Sequence, residues 1–387
     1  MADKIRVLQL IASSHGGGAS HVLDLSLGLD KSQFDVMVAM PEDGGNVSPL
    51  HFTDSGISFV SLPIHSGFAW REVRKIRHLV KNGRFHIIHV HGMRAALYGR
   101  LAVLGMAQRP RVLFSIHGFA APFYQQPKRM FYLAVERLLQ YVTDLTICVA
   151  QAEADLFLKH KLAPPNKVTV VHPGIDVQRF LQADRSENGR FRQQLNLPAT
   201  GQIILTICRL HIPRDFDTLL NAFAQTLTRF PKLHLLIAGD GPQREQILNK
   251  ISRLELADHA HLLGFRQDIS QLLALADVVV LTSLGWEGYP LSTLEAQATG
   301  TPIVVTDAGG SREAVLHEKT GLVVPKQNAA AIAQALVSLL ENANLRKQMG
   351  IAGRERAQAE LSREIMVEKM TAVYQSQLKS ITGRFGP

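Results

Sequence analysis

The chain has 387 residues, 46% of them hydrophobic, with 42 lysines and arginines against 33 acids and a formal net charge of +9. That length suits two domains of roughly 150–200 residues better than one, and the composition excludes a disordered or low-complexity protein. No uninterrupted apolar run approaches the roughly 20 residues that span a bilayer, and the dispersed basic excess favours anionic partners such as nucleotides and acidic lipid heads.

Residues 5–11 read as a first strand, short and containing Arg6 and Gln9, that runs straight into Ser13-Ser14-His15-Gly16. Such a segment is no signal peptide, so a cytoplasmic chain is expected. The loop Gly16-Gly17-Gly18 then precedes a helix over 20–29. Glycines let a backbone approach an anion closely, and a phosphate-facing turn is one reading beside a plain structural turn. The loop is neither a dinucleotide fingerprint, which fails at His21, nor a Walker-type loop.

Strand patterns follow at 34–40, 57–62, 86–91, 111–116, 145–149 and 168–171, with helices at 70–81, 94–104 and 129–141 between them. The 70–81 helix gathers Arg71, Arg74, Lys75, Arg77 and Lys81, with Arg84 just beyond, either as an ordinary solvated face or as a membrane-surface contact. His89 and His91 alternate with Val90, so both can face one side. They read as satisfied core histidines, with approach to an acceptor as the alternative; no acid or cysteine at ligand spacing supports a metal site. His117 and Gly118 follow the 111–116 strand at a sheet edge, where a neutral imidazole can hydrogen-bond a ligand. The aromatic loop 119–127 leads into Lys128-Arg129 and serves either acceptor binding or packing.

A polar interval at 184–190 lacks apolar periodicity and is taken as the connection to a second half that repeats the scheme, with strands at 203–207, 233–238, 261–263, 278–281, 303–305 and 322–324. Alternation of this kind argues for parallel, doubly wound sheets. Cys148 and Cys208 are far apart and read as small buried core residues. Arg209 follows the 203–207 strand directly and Arg214 lies five positions on, so two guanidinium groups can converge on a diphosphate. Gly264 and Phe265 end another strand and border either a base or nothing but a turn. Gly239-Asp240-Gly241-Pro242 reads as a structural turn. After the 278–281 strand comes Glu287-Gly288-Tyr289-Pro290-Leu291-Ser292-Thr293-Leu294-Glu295. A helix starting at Leu291 aims free N–H groups at a phosphate, while the flanking carboxylates suit neutral hydroxyls. Phosphate on amides and hydroxyls on carboxylates describe a sugar nucleotide.

The last of these segments resembles the Glu-x7-Glu motif of retaining glycosyltransferases of family 4. Gly17-Gly18-Ala19, Cys208-Arg209-Leu210 with Arg214, 238–242, 263–265 and Asp307-Ala308-Gly309-Gly310 follow in that family's order. The family usually has Gly-Arg-Leu and Lys-Gly where this chain has Cys208 and Arg214-Asp215, so the charge is kept at Arg214 and the glycine is lost. The resemblance implies the α/β GT-B architecture, two doubly wound Rossmann-like lobes facing a central cleft. Lobe boundaries are expected at 1–182 and 183–362, with 363–387 crossing back to the first lobe.

It further implies transfer of a hexose-type sugar from a UDP- or GDP-sugar to a hydroxyl of a glycan or lipid-linked acceptor, with retention, in polysaccharide or lipopolysaccharide synthesis. Glu287, His117, Arg209 and Arg214 would be catalytic. Gly16, Gly17, Gly18, Gly264, Phe265, Gly288, Tyr289, Pro290, Leu291 and Glu295 would hold the donor, Glu295 through the ribose. No cofactor, metal or nucleic acid is expected, and peripheral contact with an anionic membrane surface is compatible with the charge. A nucleotide-sugar epimerase of the same fold, or a non-catalytic nucleotide-sugar-binding protein, are the alternatives.

Overall fold

The computed structural model describes residues 4–64, 67–183 and 186–382. The chain forms two compact units: one runs to Gly174 and resumes at Arg363, the other spans Ile175–Ser362. The division thus falls at Gly174–Ile175 and not at 182–183. Its cause is local. The Ile175 N–H donates to the Leu361 carbonyl at 3.0 Å, and the helix Val177–Leu181 that follows buries Val177 and Phe180. Of the interval read as a connection, 184–185 lie outside the described residues, and Asn188 opens the helix Asn188–Gln194 of the second unit. That helix buries a single apolar residue, Phe191, which is too little periodicity to detect.

In the first unit the strands are β1 Ile5–Ile11, β2 Phe34–Met40, β3 Ser58–Ser61, β4 Ile87–His91, β5 Arg111–Ser115, β6 Leu145–Cys148 and β7 Val168–Val170. They form one sheet in the order β3-β2-β1-β4-β5-β6-β7, with every pairing parallel. In the second unit β8 Ile203–Ile207, β9 His234–Ala238, β10 Ala260–Gly264, β11 Val278–Leu281, β12 Ile303–Thr306 and β13 Gly321–Val324 run parallel in the order β10-β9-β8-β11-β12-β13. Both sheets reverse direction of winding beside their first strand, between β1 and β4 and between β8 and β11. Helices on both faces explain why β4, β9, β11 and β12 are buried along their whole length and read as continuous apolar or mixed runs.

The last helix, Arg363–Thr382, belongs to the first unit. It lays Met366, Val367, Met370 and Tyr374 into a core with Val7, Leu25, Leu29 and Phe34. A Cβ at Gly28 would press on Val367, so the Gly17–Gly28 helix is cut back where the last helix crosses it. Arg100, fully buried, makes a bidentate bond to Glu136 at 2.7 and 2.8 Å and lies over the Phe114 ring. Breaking such a pair from one side costs about 3–5 kcal/mol, so it pins the Lys128–Leu139 helix to the Gly92–Val103 helix. No helix among the described residues is long and apolar enough to cross a membrane.

Candidate active site

Ligands of open parallel sheets sit beyond the carboxyl ends of the strands, where the winding reverses. In the second unit that point is flanked by the segments leaving β8 and β11. These two segments lock together. The Asp215 N–H donates to the Thr282 carbonyl and the Leu284 N–H to the Pro213 carbonyl, an isolated bridge joins Arg214 to Ser283, and Thr282 Oγ1 donates to the Asp215 carbonyl at 2.7 Å. Asp215 has a task of its own, since its carboxylate caps the helix Phe216–Leu227 by accepting from the Thr218 N–H. The departure from the family's Lys-Gly therefore leaves a capped helix start.

The lock places Arg214 against Glu287. The guanidinium approaches the carboxylate at 2.6 Å, and both bond Ser283 Oγ, at 2.6 Å from Arg214 and 3.2 Å from Glu287. Burial depresses the Arg214 pKa, but the Glu287 carboxylate and Cys208 outweigh it, so the net direction is upward. Burial pushes the Cys208 thiol up despite Arg214 beside it. Arg209, by contrast, is exposed, and its guanidinium makes no hydrogen bond or ion pair with the described residues. One arginine is thus committed to a carboxylate and the other is open to a ligand.

Two glycines carry this arrangement. Gly309, at φ +54°, packs so closely on the Glu287 backbone that a Cβ there would strike its carbonyl oxygen; the Gly310 N–H donates to the same oxygen at 3.0 Å. Gly239, at φ +144°, lies as tightly against the Cys208 carbonyl. The turn that holds it accepts the Leu210 N–H on Asp240 at 2.9 Å. Neither glycine leaves room for a side chain, and both serve to fix the backbone around Arg209 and Glu287.

Leu291–Thr299 is a helix with Pro290 at its N-cap position, and its first turn leaves backbone N–H groups without intrahelical acceptors. Glu295 is half-buried in its second turn. Gly288 precedes it, but the Tyr289 side chain turns inward, its hydroxyl donating to the Glu313 carbonyl and accepting from Arg356. Tyr289 can therefore meet a donor only through its backbone. Gly264 accepts the Gly239 N–H at 2.8 Å, and the Phe265 ring beside it is 54% exposed.

In the first unit Gly17–Gly28 forms a helix with Gly16 at its N-cap, so Gly17 and Gly18 are its first turn and not a free loop. The Gly16 N–H is taken by the Asn46 carboxamide, and Ser14 is tied to Asp43. Segment 43–46 thus braces the turn, which the sequence did not disclose. His117 sits past β5 at φ +58°, a region a histidine seldom occupies. The Gly118 N–H donates to Glu153 at 2.6 Å, and Glu153 also accepts the Val149 N–H.

His117 Nε2 lies 3.0 Å from His91 Nδ1, and His91 Nε2 lies 2.8 Å from Gln9 Oε1. Gln9 Nε2 donates to the Tyr374 hydroxyl at 2.9 Å, which also meets His89 Nδ1 at 2.7 Å; His89 Nε2 reaches Ser115 Oγ at 2.8 Å. His89 and His91 are thus bonded core residues, with His91 in contact with His117. His21, buried against the His91 and His117 rings, bonds through neither ring nitrogen. His21, His91 and His117 bring ligand atoms within 4.8 Å of one another, although both nitrogens of His91 already face partners. The basic helix Trp70–Gly83 exposes Arg71, Arg74 and Lys75, whereas Arg77 is engaged by the Ala102 and Leu104 carbonyls.

Two doubly wound parallel units, each with loops gathered at its point of reversal, make the GT-B architecture. Residues 15–179 match the family model Glycosyltransferase Family 4 and 187–356 match Glycosyl transferases group 1; the chain belongs to this glycosyltransferase family. It is 28% identical over 68% of its length, and 68% of the other, to a UDP-Gal:alpha-D-GlcNAc-diphosphoundecaprenol alpha-1,3-galactosyltransferase of Escherichia coli. A phosphatidyl-myo-inositol mannosyltransferase of Mycobacterium tuberculosis is 28% identical over 87% of both chains. Among solved structures, Anabaena HepE in complex with UDP-glucose superposes with a TM-score of 0.82 at 20% identity, covering 96% of this chain and 99% of that one.

Burial lowers the pKa of His21, His89 and His91 well below 6.5 and that of His117 to about 4. Folding therefore favours their neutral forms. The stability this contributes is complete above the ordinary histidine pKa of about 6.5 and is lost as pH falls toward 4. His234 in the second unit, also lowered to about 4 chiefly by burial, adds the same sign. The thermal midpoint is expected to drop steadily between pH 6.5 and 4.5; a constant midpoint over that window would contradict the neutral assignment.

Proposed function

We propose that the protein is a retaining hexosyltransferase that moves a sugar from UDP or GDP to a hydroxyl of a glycan or lipid-linked acceptor. The observation that carries this reading is the Arg214–Glu287 pair where the second sheet reverses, with the exposed Arg209 on the segment that leaves β8 and a helix N-terminus on the segment that leaves β11. Arg209 and the N–H groups at Leu291 suit the diphosphate. Glu295 suits the ribose, and Glu287, oriented by Arg214, holds a hydroxyl of the transferred sugar. Gly264 and Phe265 border the base. In the first unit, Gly17 and Gly18, which follow the N-cap Gly16 whose own N–H is held by Asn46, offer N–H groups to phosphate, and His117 hydrogen-bonds a sugar hydroxyl.

In the transfer, the bond from the anomeric carbon to the diphosphate oxygen breaks and a bond to the acceptor oxygen forms on the same face. The acceptor's proton passes to the departing phosphate oxygen. Positive charge at Arg209 stabilises the charge that grows there, while Arg214 holds Glu287 in place. No covalent sugar–enzyme adduct is involved.

A lipid-linked acceptor fits the exposed Met130, Phe131, Leu138 and Tyr141, which share a stripe of the Lys128–Leu139 helix and its continuation beside exposed Lys128, Arg129 and Arg137. The named acceptors of the galactosyltransferase and mannosyltransferase relatives are lipid-linked. This supports work at the inner face of the plasma membrane, in polysaccharide or lipopolysaccharide synthesis. Phe131→Ser with Leu138→Ser is expected to abolish sedimentation with anionic vesicles; unchanged sedimentation would refute this docking face.

Glu287→Gln and Arg209→Ala are each expected to lower kcat about 100-fold with an unaltered far-UV circular dichroism spectrum. Release of nucleoside diphosphate from a panel of sugar nucleotides and acceptors would read this out. Wild-type turnover in both variants would overturn the site.

A further inference from the structure

His89, His91 and His117 of the first unit belong to a directed chain with Gln9 and Tyr374, and its direction matters for His117. Gln9 is the fixed point, because its two ends differ: Oε1 only accepts and Nε2 only donates. Oε1 faces His91 Nε2, so that nitrogen carries the proton and His91 Nδ1 is a lone pair. His117 Nε2, 3.0 Å from that lone pair, must then donate to it. A neutral His117 with its proton on Nε2 presents an unprotonated Nδ1, which has no partner among the described residues. The other end obeys the same logic. Gln9 Nε2 donates to the Tyr374 oxygen, so the Tyr374 proton goes to His89 Nδ1, and His89 Nε2–H donates to Ser115.

We infer that Gln9, His91 and Tyr374 are positioning residues that hold His117 as its Nε2–H tautomer, with Nδ1 as the acceptor for a ligand hydroxyl. Three facts support the assignment. His89 and His91 are buried and His117 is half-buried against them, a low-dielectric setting where a mis-set proton would leave two lone pairs or two donors face to face. Burial keeps all three histidines of the chain neutral, so each has one donor and one acceptor nitrogen. The His117 backbone lies at φ +58° and its Nε2 is anchored on His91, which together limit where Nδ1 points. Tyr374 lies on the last helix, so docking of that helix completes the chain. The inference rests on the proposed contact of His117 with a sugar hydroxyl.

Long-range 1H–15N spectra of the full-length protein, labelled at histidine, read the tautomer directly, with His117→Gln used for assignment. The wild-type signal is expected to show protonated Nε2 and unprotonated Nδ1; a proton on Nδ1 overturns the inference without need of any variant. Tyr374→Phe keeps the ring and removes the hydroxyl, freeing Gln9 to turn. It is expected to bring a second His117 tautomer into the spectrum and to lower kcat about tenfold with KM for the donor unchanged. An unchanged tautomer ratio in this variant would overturn the relay. If the tautomer shifts while His117→Ala transfers sugar at the wild-type rate, the relay stands and the contact of His117 with the sugar falls.

Discussion

The second unit is organised around one buried ion pair. Arg214 and Glu287 come from loops that leave different strands, and they meet because those loops are stitched together by backbone bonds at Asp215, Thr282, Pro213 and Leu284. A buried pair repays its desolvation only when its geometry is good and its spare hydrogen-bonding capacity is used. Ser283 uses it here, bonding both partners. The consequence is a division of labour between two arginines that look equivalent in the sequence. Arg214 is spent on holding a carboxylate in place. Arg209, one residue past Cys208 and outside the pair, is exposed, and the proposed function gives its charge to an incoming anion.

The glycines around this pair act through space they leave empty. Gly309 lets the loop after β12 lie on the Glu287 backbone, and Gly239 lets the turn after β9 lie on Cys208. Backbone contact of this kind fixes the two functional segments more firmly than side-chain packing could. Preorganisation matters because a charged group that must be repositioned during the reaction loses part of its effect. The first unit reaches the same end by other means. There a string of neutral imidazoles, an amide and a phenol, set in a core, specifies where one proton sits.

The sheets were legible because their central strands are buried on both faces and read as short apolar runs at regular intervals. Their boundaries shifted by a residue or so, as at β3, where Ile57 and Leu62 were counted in. The unit boundary was not legible, since the polar segment near 184–190 looks more like a connection than Gly174–Ile175 does. Within the site, the sequence pointed to Arg214 and Glu287 separately. Their pairing depends on a crossing of two loops that no local pattern records. The same holds for Tyr374, which reaches Gln9 from the far end of the chain. Gln9 did leave a trace, a lone amide in an apolar strand. His21 was passed over as the residue that broke a dinucleotide pattern. Tyr289 stood inside the motif, and only the fold reveals that its ring faces away from a ligand.

The central claim is that Arg209 stands ready for a diphosphate while Arg214 serves Glu287. Calorimetric titration with whichever of UDP and GDP binds, and with its parent nucleoside, tests it most directly in the wild type and in Arg209→Ala. The account expects the nucleotide to bind at least tenfold more weakly to the variant, a difference of about 1.4 kcal/mol, with the nucleoside unaffected. Equal loss for both ligands, or no loss for either, would contradict it.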